Sequence, residues 1–305
     1  MQTVAGRDLI LGLSISGGGI QAVELERSGA VTTLRAIDEW ENTFSPTNET
    51  GPRNDGEGRQ LGEQISRFIK KYRVAARRVS LALDTSFLFI NTIPIDQGMT
   101  RNEISDQVKW ELAQYYPDAA STDFITDLHV LTERSFGAYN EAMSVSLWRR
   151  DASSARKAVA AAGLELHIVD ADHFAAETAY RVNYPDSYKK IVALVGIKET
   201  RIDITMMRNG ALDTYQYGVV DSNAGIAERI AGLSRWNPDL QSVMIYGSYL
   251  DRDLLTAIRK ASPVLVEALN PFRHLEIAES LLVDEHLNVP AFRFGAAVGV
   301  ALRRD

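Results

Sequence analysis

Apolar positions run through residues 8–16 and 19–25, and three consecutive glycines, Gly17, Gly18 and Gly19, separate the two runs. That pattern predicts a β-hairpin closed by a glycine-rich turn, with a third strand at residues 30–37. Composition then shifts across residues 42–59, where Pro46, Gly51, Pro52, Gly56 and Gly58 stand among acids and amides, as a loop requires. Leu61, Ile65, Phe68 and Tyr72 recur at helical spacing and lead into a strand at 79–83.

Residues 87–167 have a different rhythm and read as a small inserted α+β unit. A strand at 87–95 precedes Thr100 and Glu103, a capping box ahead of Ile104, Val108, Leu112 and Tyr115. Pro117 stops that helix, strands at 124–131 and 142–148 flank a turn near Gly137, and Gly163 closes a helix at 152–162. From residue 191 the opening order returns. Strands are predicted at 191–197, 201–207 and 212–219, the last two joined by Asn209-Gly210. A helix at 224–233, a strand at 243–246, a helix at 252–261, a strand at 264–268 and a helix at 292–302 follow. In the last helix Gly295 and Gly299 are expected to allow close approach to a sheet. Two similar α/β halves imply a cleft between them, a feature of several bilobal folds.

The 305 residues exceed the usual size of a single core, and 45% apolar with 24% charged residues is ordinary for a soluble globular protein. A net charge of −7 opposes broad affinity for nucleic acid or anionic lipid. Lys70, Lys71, Arg73, Arg77 and Arg78 form the one basic cluster and read as a solvated helix end. With no cysteine, disulfides, thiol nucleophiles and thiolate metal sites are excluded, and the five histidines have no zinc-ligand spacing. Apolar runs such as 192–197 are far too short to span a bilayer, and the N-terminus has no signal-peptide stretch. A cytoplasmic protein without its own membrane anchor is expected.

Candidate chemistry centres on the glycine turn. Three glycines let several backbone N–H groups point into one concavity and bind an anion. Phosphoryl transfer also needs a carboxylate for Mg²⁺ and a cation against the phosphates. Ser14, Ser16 and Gln21 stand where such groups belong, so the turn also reads as a hairpin with no ligand at all. Asp170, Asp172 and His173 resemble an acid/base or metal cluster but directly precede a helical run, where Asp normally caps. Trp110, Tyr115, Tyr116 and Trp148 read as core and rim of the inserted unit. No Gly-x-Ser-x-Gly elbow occurs.

Four stretches in this order resemble the PilM family of actin-like type IV pilus assembly proteins. They are Leu11-Gly12-Leu13-Ser14-Ile15 through Ala22-Val23-Glu24-Leu25; Ile93-Pro94-Ile95 with Glu103-Ile104, Trp110-Glu111-Leu112 and Tyr116-Pro117; the run 169–175; and Asn270-Pro271-Phe272 with Gly295 to Arg303. The resemblance implies a two-lobed actin-like (ribonuclease H-like) fold shared with the cell-division protein FtsA. Its first lobe is expected at 1–85 and 168–189, the inserted domain at 86–167 and the second lobe at 190–305. It also implies ATP in the cleft between two phosphate loops and an adenosine loop, and the sequence departs from the family at each. Ser14 replaces the first acid, Ser16 a glycine and Gln21 a lysine; Gly196-Ile197-Lys198 replaces Asp-Ile-Gly; Tyr246-Gly247-Ser248 replaces a glycine pair.

No cofactor is therefore expected, with weak ATP and Mg²⁺ binding left open. Nucleotide-contact candidates are Ser14, Ser16, Gly17, Gly18, Gly19, Gln21, Lys198, Thr200 and Gly247; catalytic and metal residues are assigned to none. The resemblance further implies a groove beside the inserted domain for a short cytoplasmic peptide of a bitopic inner-membrane partner of PilN type. Phe87, Phe89 and Asn91 are its candidate residues. The expected protein is an adaptor of a pilus or secretion platform, reaching the membrane only through that partner, with self-association left open. Two alternatives remain: an active ATPase using acids such as Asp170, Asp172 or Glu199, and the cytoplasmic part of a GspL-type secretion protein. A sugar or acetate kinase is a distant third.

Overall fold

A computed structural model describes residues 7–42, 44, 55–136, 139–282 and 289–304. Strands β1 (Asp8–Ser16), β2 (Gly19–Ser28) and β3 (Val31–Trp40) form an antiparallel meander whose β1–β2 turn is Gly17-Gly18. Most of the predicted 42–59 loop lies outside the described residues. Helix α1 (Asp55–Tyr72) begins earlier than composition suggested and returns the chain to β4 (Arg78–Leu83), parallel to β1.

The inserted unit follows. β5 (Phe89–Asp96), α2 (Arg101–Tyr115), β6 (Phe124–Phe136) and β7 (Tyr139–Trp148) form a sheet of order β5-β7-β6 under one helix. The capping box is formed, with the Thr100 hydroxyl accepting from the Glu103 N–H at 3.3 Å and the Glu103 carboxylate accepting from the Thr100 N–H at 2.7 Å. Phe89, Tyr116, Phe124 and Trp148 fill the unit, with ring centroids 4.2–5.7 Å apart, while Trp110 is exposed. The turn near Gly137 lies outside the described residues.

Helix α3 (Arg149–Ala161) and β8 (Glu165–Ala171), expected mostly within the insert, pack on the first lobe instead. The small residues Ala155 and Ala158 meet Leu61 and Ile65 of α1. A Cβ on Gly62 would stand 2.8 Å from the Ala158 carbonyl oxygen, so the missing side chain sets how closely the helices approach. β8 pairs with β4, which leaves β8 at one edge of the first sheet.

Helix α4 (Asp172–Asn183) leads to the second lobe: β9 (Val192–Ile197), β10 (Arg201–Arg208), β11 (Ala211–Val219), α5 (Asn223–Trp236), β12 (Ser242–Tyr246), α6 (Arg252–Ala261) and β13 (Leu265–Ala268). Positive φ at Asn209 (50°) and Gly210 (71°) makes the β10–β11 connection the primed turn that the Asn-Gly pair predicts. The sheet order β11-β10-β9-β12-β13 repeats β3-β2-β1-β4-β8. The last elements cross back: β14 (Glu276–Ile277) extends the first sheet beyond β3, and α7 (Gly295–Leu302) lies against β1, β2 and β4. The final part of the stretch expected as the second lobe thus packs on the first.

The period-two pattern of β1 explains its burial on both faces. Leu11, Leu13 and Ile15 face the core under α1 and α3, while Ile10 faces α7. Gly12 lets α7 lie close, because a Cβ there would collide with the Ala297 carbonyl. Gly299, expected against a sheet, meets a helix: a Cβ would collide with the Ala175 carbonyl of α4. Gly299→Val should therefore lower stability by about 3 kcal/mol through overpacking. Gly17→Ala, where a Cβ has nothing within 4 Å, should change it by less than about 0.5 kcal/mol. Urea unfolding midpoints of the two variants check both values.

Candidate functional site

Four chain segments converge where the lobes meet. β4 ends at Leu83, and Asp84 caps the short turn that follows by accepting the Ser86 N–H at 2.8 Å. β8 runs directly into α4, whose first residue is Asp172. The expectation that this aspartate caps the helix is corrected. The cap position is Ala171, with no side-chain hydrogen bond, and Asp172 Oδ1 instead accepts the Thr85 N–H at 3.1 Å. From the second lobe come Lys198, at the end of β9, and Asp203, inside β10.

Lys198 Nζ lies 2.9 Å from Asp84 Oδ1, 2.9 Å from Asp172 Oδ1 and 3.0 Å from Asp203 Oδ2, and it donates to Thr85 Oγ1 at 2.5 Å. Lys198, expected as a nucleotide-contact candidate, is paired here with three carboxylates. Asp203 also accepts from the Thr85 hydroxyl at 2.7 Å, from Arg201 Nε at 3.0 Å and from the Tyr215 hydroxyl at 2.6 Å. Arg201 lies over the Tyr217 ring, 3.9 Å from its centroid. Beside this cluster, His173 bonds the Tyr246 hydroxyl through Nδ1 and the Thr205 hydroxyl through Nε2, both at 2.9 Å.

Burial and charge act in opposite senses here. Desolvation alone would raise Asp203, but Lys198, Arg201 and the Tyr215 hydroxyl hold it well below the usual carboxylate range. Desolvation would lower Lys198, yet the three aspartates hold it above the ordinary lysine value. Asp172 is pushed up to about 7 by burial, with Lys198 acting against the shift and Asp84 and Asp203 adding to it. His173 is lowered to about 3 by burial and stays neutral.

Of the nucleotide-contact candidates, Ser14, Ser16, Gln21, Lys198 and Gly247 line one narrow space of about 20 Å³, room for about one water molecule. Gly17 and Gly18 form the hairpin turn outside that lining, and a Cβ on Gly18 would stand 2.9 Å from Ser248 Oγ of the opposite lobe. Gly19 has φ 146° and lies beside the Trp40 carbonyl. Thr200 is exposed in the β9–β10 turn, its carbonyl accepting from the Val220 N–H at 2.9 Å. A Mg²⁺-nucleotide does not fit these residues as they stand.

A second concavity, of about 660 Å³, opens between the inserted sheet and the first lobe. Ile125, Val145 and Leu147 form one wall, and Leu166, Val169 and Phe174 the other. At its border Arg303 is paired with Asp170, and Arg181 with Glu177 at 3.3 Å. Its size lies within the usual range for ligand sites. Of the peptide candidates, Phe87 is buried in the first-lobe core, with Leu88 as its neighbour on the cavity wall. Phe89 packs on Tyr115 and Tyr116, with centroids 4.8 and 5.7 Å away, and the Asn91 carbonyl accepts from the Ser144 hydroxyl at 3.4 Å.

Two lobes of matching strand order around a cleft, with an α+β insert in the first, define an actin-like protein. The family model described as "Type IV pilus assembly protein PilM" matches residues 12–217, and the chain belongs to that family. The fold is similar to that of a solved PilM-PilN type IV pilus biogenesis complex (TM-score 0.76, 18% identity), covering 96% of this chain and 98% of that one. A Bacteroides thetaiotaomicron protein of actin-like ATPase fold and unknown function matches at TM-score 0.51 and 10% identity, over 89% of this chain and 94% of that one. The cytoplasmic domain of EpsL, an inner membrane component of the Vibrio cholerae type II secretion system, matches at TM-score 0.45 and 13% identity, over 94% and 100%.

The Asp172 shift fixes a pH dependence. Its folded pKa of about 7 lies above the ordinary aspartate value, so the folded state keeps a proton that the unfolded chain releases. Stability from this group is present at low pH and lost as pH rises through about 7. Glu177, raised to about 7 by burial, acts in the same sense. Asp172→Asn keeps the Oδ1 acceptor, and the fall in urea midpoint between about pH 5 and pH 8 should be smaller than in the unmodified chain.

Proposed function

We propose that this chain is a cytoplasmic adaptor of a type IV pilus inner-membrane platform that hydrolyses little or no ATP. In this reading it holds a short extended peptide from a bitopic membrane partner of PilN type in the cavity beside the inserted domain. The observation that carries the reading is a contrast of space. The space lined by Ser14, Ser16, Gln21, Lys198 and Gly247 has room for about one water molecule, whereas the concavity beside the inserted domain measures about 660 Å³.

An extended peptide laid there would press apolar side chains on Val145, Leu166 and Phe174. β8, the last strand in the order of the first sheet, lines the cavity through Leu166, Val169 and Asp170, so an extended chain laid there would run along a strand. A solved PilM-PilN complex of similar fold supports a partner of that type. Among the described residues no helix is long and apolar enough to cross a membrane, so attachment through a partner suits the adaptor role.

An active ATPase is the second reading, favoured by the convergence of Asp84, Asp172 and Asp203 at the cleft. It requires Lys198 to leave and the two glycine-bearing loops to part.

Ile125 is 45% exposed on β6 and lines the cavity, so a charge there should leave folding intact. Ile125→Glu should weaken binding of a synthetic peptide copying the cytoplasmic segment of the organism's PilN-type protein by about tenfold or more, the usual scale for a buried anchor. Titration calorimetry checks this. Equal affinity for both proteins would remove the cavity from consideration.

A further inference from the structure

We propose that Lys198 is a built-in cation that clamps the two lobes together, so that the cleft is held shut by the chain's own ammonium with no nucleotide or metal between the lobes. The proposal goes beyond the adaptor reading by assigning the vacated cleft a mechanical role.

The cluster is divided between the lobes. Asp84, Thr85 and Asp172 stand at the ends of β4 and β8 in the first lobe, and Lys198 and Asp203 on the β9–β10 hairpin of the second. One Nζ therefore joins two carboxylates and a hydroxyl across the junction to a third carboxylate on its own side, all within 2.5–3.0 Å. The Thr85 hydroxyl, donating to Asp203 Oδ2 at 2.7 Å, adds a second crossing. Lysine suits this position, because its ammonium is a compact point charge with three donors.

The chemistry is that of an ammonium and not of a metal. Among the described residues no group of three or more His, Cys, Asp or Glu is arranged to hold a metal ion. The three carboxylates converge at hydrogen-bond distance on the Lys198 nitrogen, so an ammonium occupies the point where a bound cation would sit. The fold's usual ligand therefore disagrees with these side chains. Where a Mg²⁺-nucleotide would draw two lobes onto itself, Lys198 already fills the charge centre. Gly18, without a side chain, lets the first loop close onto Ser248.

The test uses the full chain without peptide, so its outcome is independent of the adaptor reading. Lys198→Ala leaves three carboxylates without their cation, and its melting midpoint should fall by roughly 10 °C. Adding n-butylammonium, which supplies the missing N–H donors, should recover a good part of that loss, while tetramethylammonium, which has none, should not. If the alanine variant does not fold, Lys198→Met keeps the stem packed, and its own drop is then the measure. In parallel, Mg²⁺ with ATP should leave the midpoint of the unmodified chain unchanged. An unshifted midpoint in Lys198→Ala, recovery by both ammonium ions alike, or stabilisation of the unmodified chain by Mg²⁺-ATP would each overturn the clamp.

Discussion

The junction between the lobes depends on the charge balance around Lys198. Removing an ammonium and a carboxylate from water costs several kcal/mol for each ion, a penalty offset only when each charge is paired and its remaining bonding capacity used. Asp203 meets that condition, with Lys198, Arg201, Thr85 and Tyr215 all directed at its two oxygens. Lys198 meets it with four oxygen neighbours. Asp172 meets it differently. Lys198 and Arg201 leave one of the three carboxylate charges unbalanced, and burial together with Asp84 and Asp203 raises Asp172, which favours its protonated form.

Small residues determine how the surrounding helices reach that junction. Gly12 under Ala297 and Gly299 against Ala175 bring α7 between the first sheet and α4 with almost no side-chain volume in the way. Close packing of this kind fixes α4 in position, and α4 carries both sites. Its first residue, Asp172, belongs to the cleft cluster. Two residues on, Phe174 packs on Tyr215 at 5.3 Å and also forms the cavity wall, and Glu177 and Arg181 follow at the cavity border.

Much of this architecture is legible in the sequence. The repeated strand order, the Asn209-Gly210 turn and the Thr100/Glu103 box follow from local rules that tertiary context did not override. The return of β14 and α7 to the first sheet was not legible, since a short apolar helix carries no mark of which lobe it covers. The site is misread for a related reason. Arg201, Asp203 and Thr205 alternate with Ile202, Ile204 and Met206, the usual pattern of a strand with one face in water. Here the polar face is the lobe junction, and Asp203 and Thr205 are fully buried. Asp172 at a helix start likewise reads as a cap until Thr85 and Lys198 are placed beside it by β4 and β9. Partners far apart in sequence decide these roles, and periodicity does not report them.

A closed cleft changes what the cavity can do. Binding between two mobile lobes spends part of its free energy on fixing their relative position, whereas a cavity whose walls are already fixed avoids that cost. The cavity takes its walls from the insert on one side and from α3, β8 and α4 on the other, and Ala211 and Leu212 of β11 also line it. α4 is tied to the second lobe at its first turn through Lys198, and its second residue, His173, bonds Tyr246 and Thr205 of that lobe. Cation and imidazole together restrain the wall on which a peptide would lie. Under the clamp proposed above, the lobe junction is a salt-bridged joint. It forms a rigid frame in place of a hinge that closes around a ligand, and such a frame orders an incoming extended chain at lower entropic cost than lobes that must close around it.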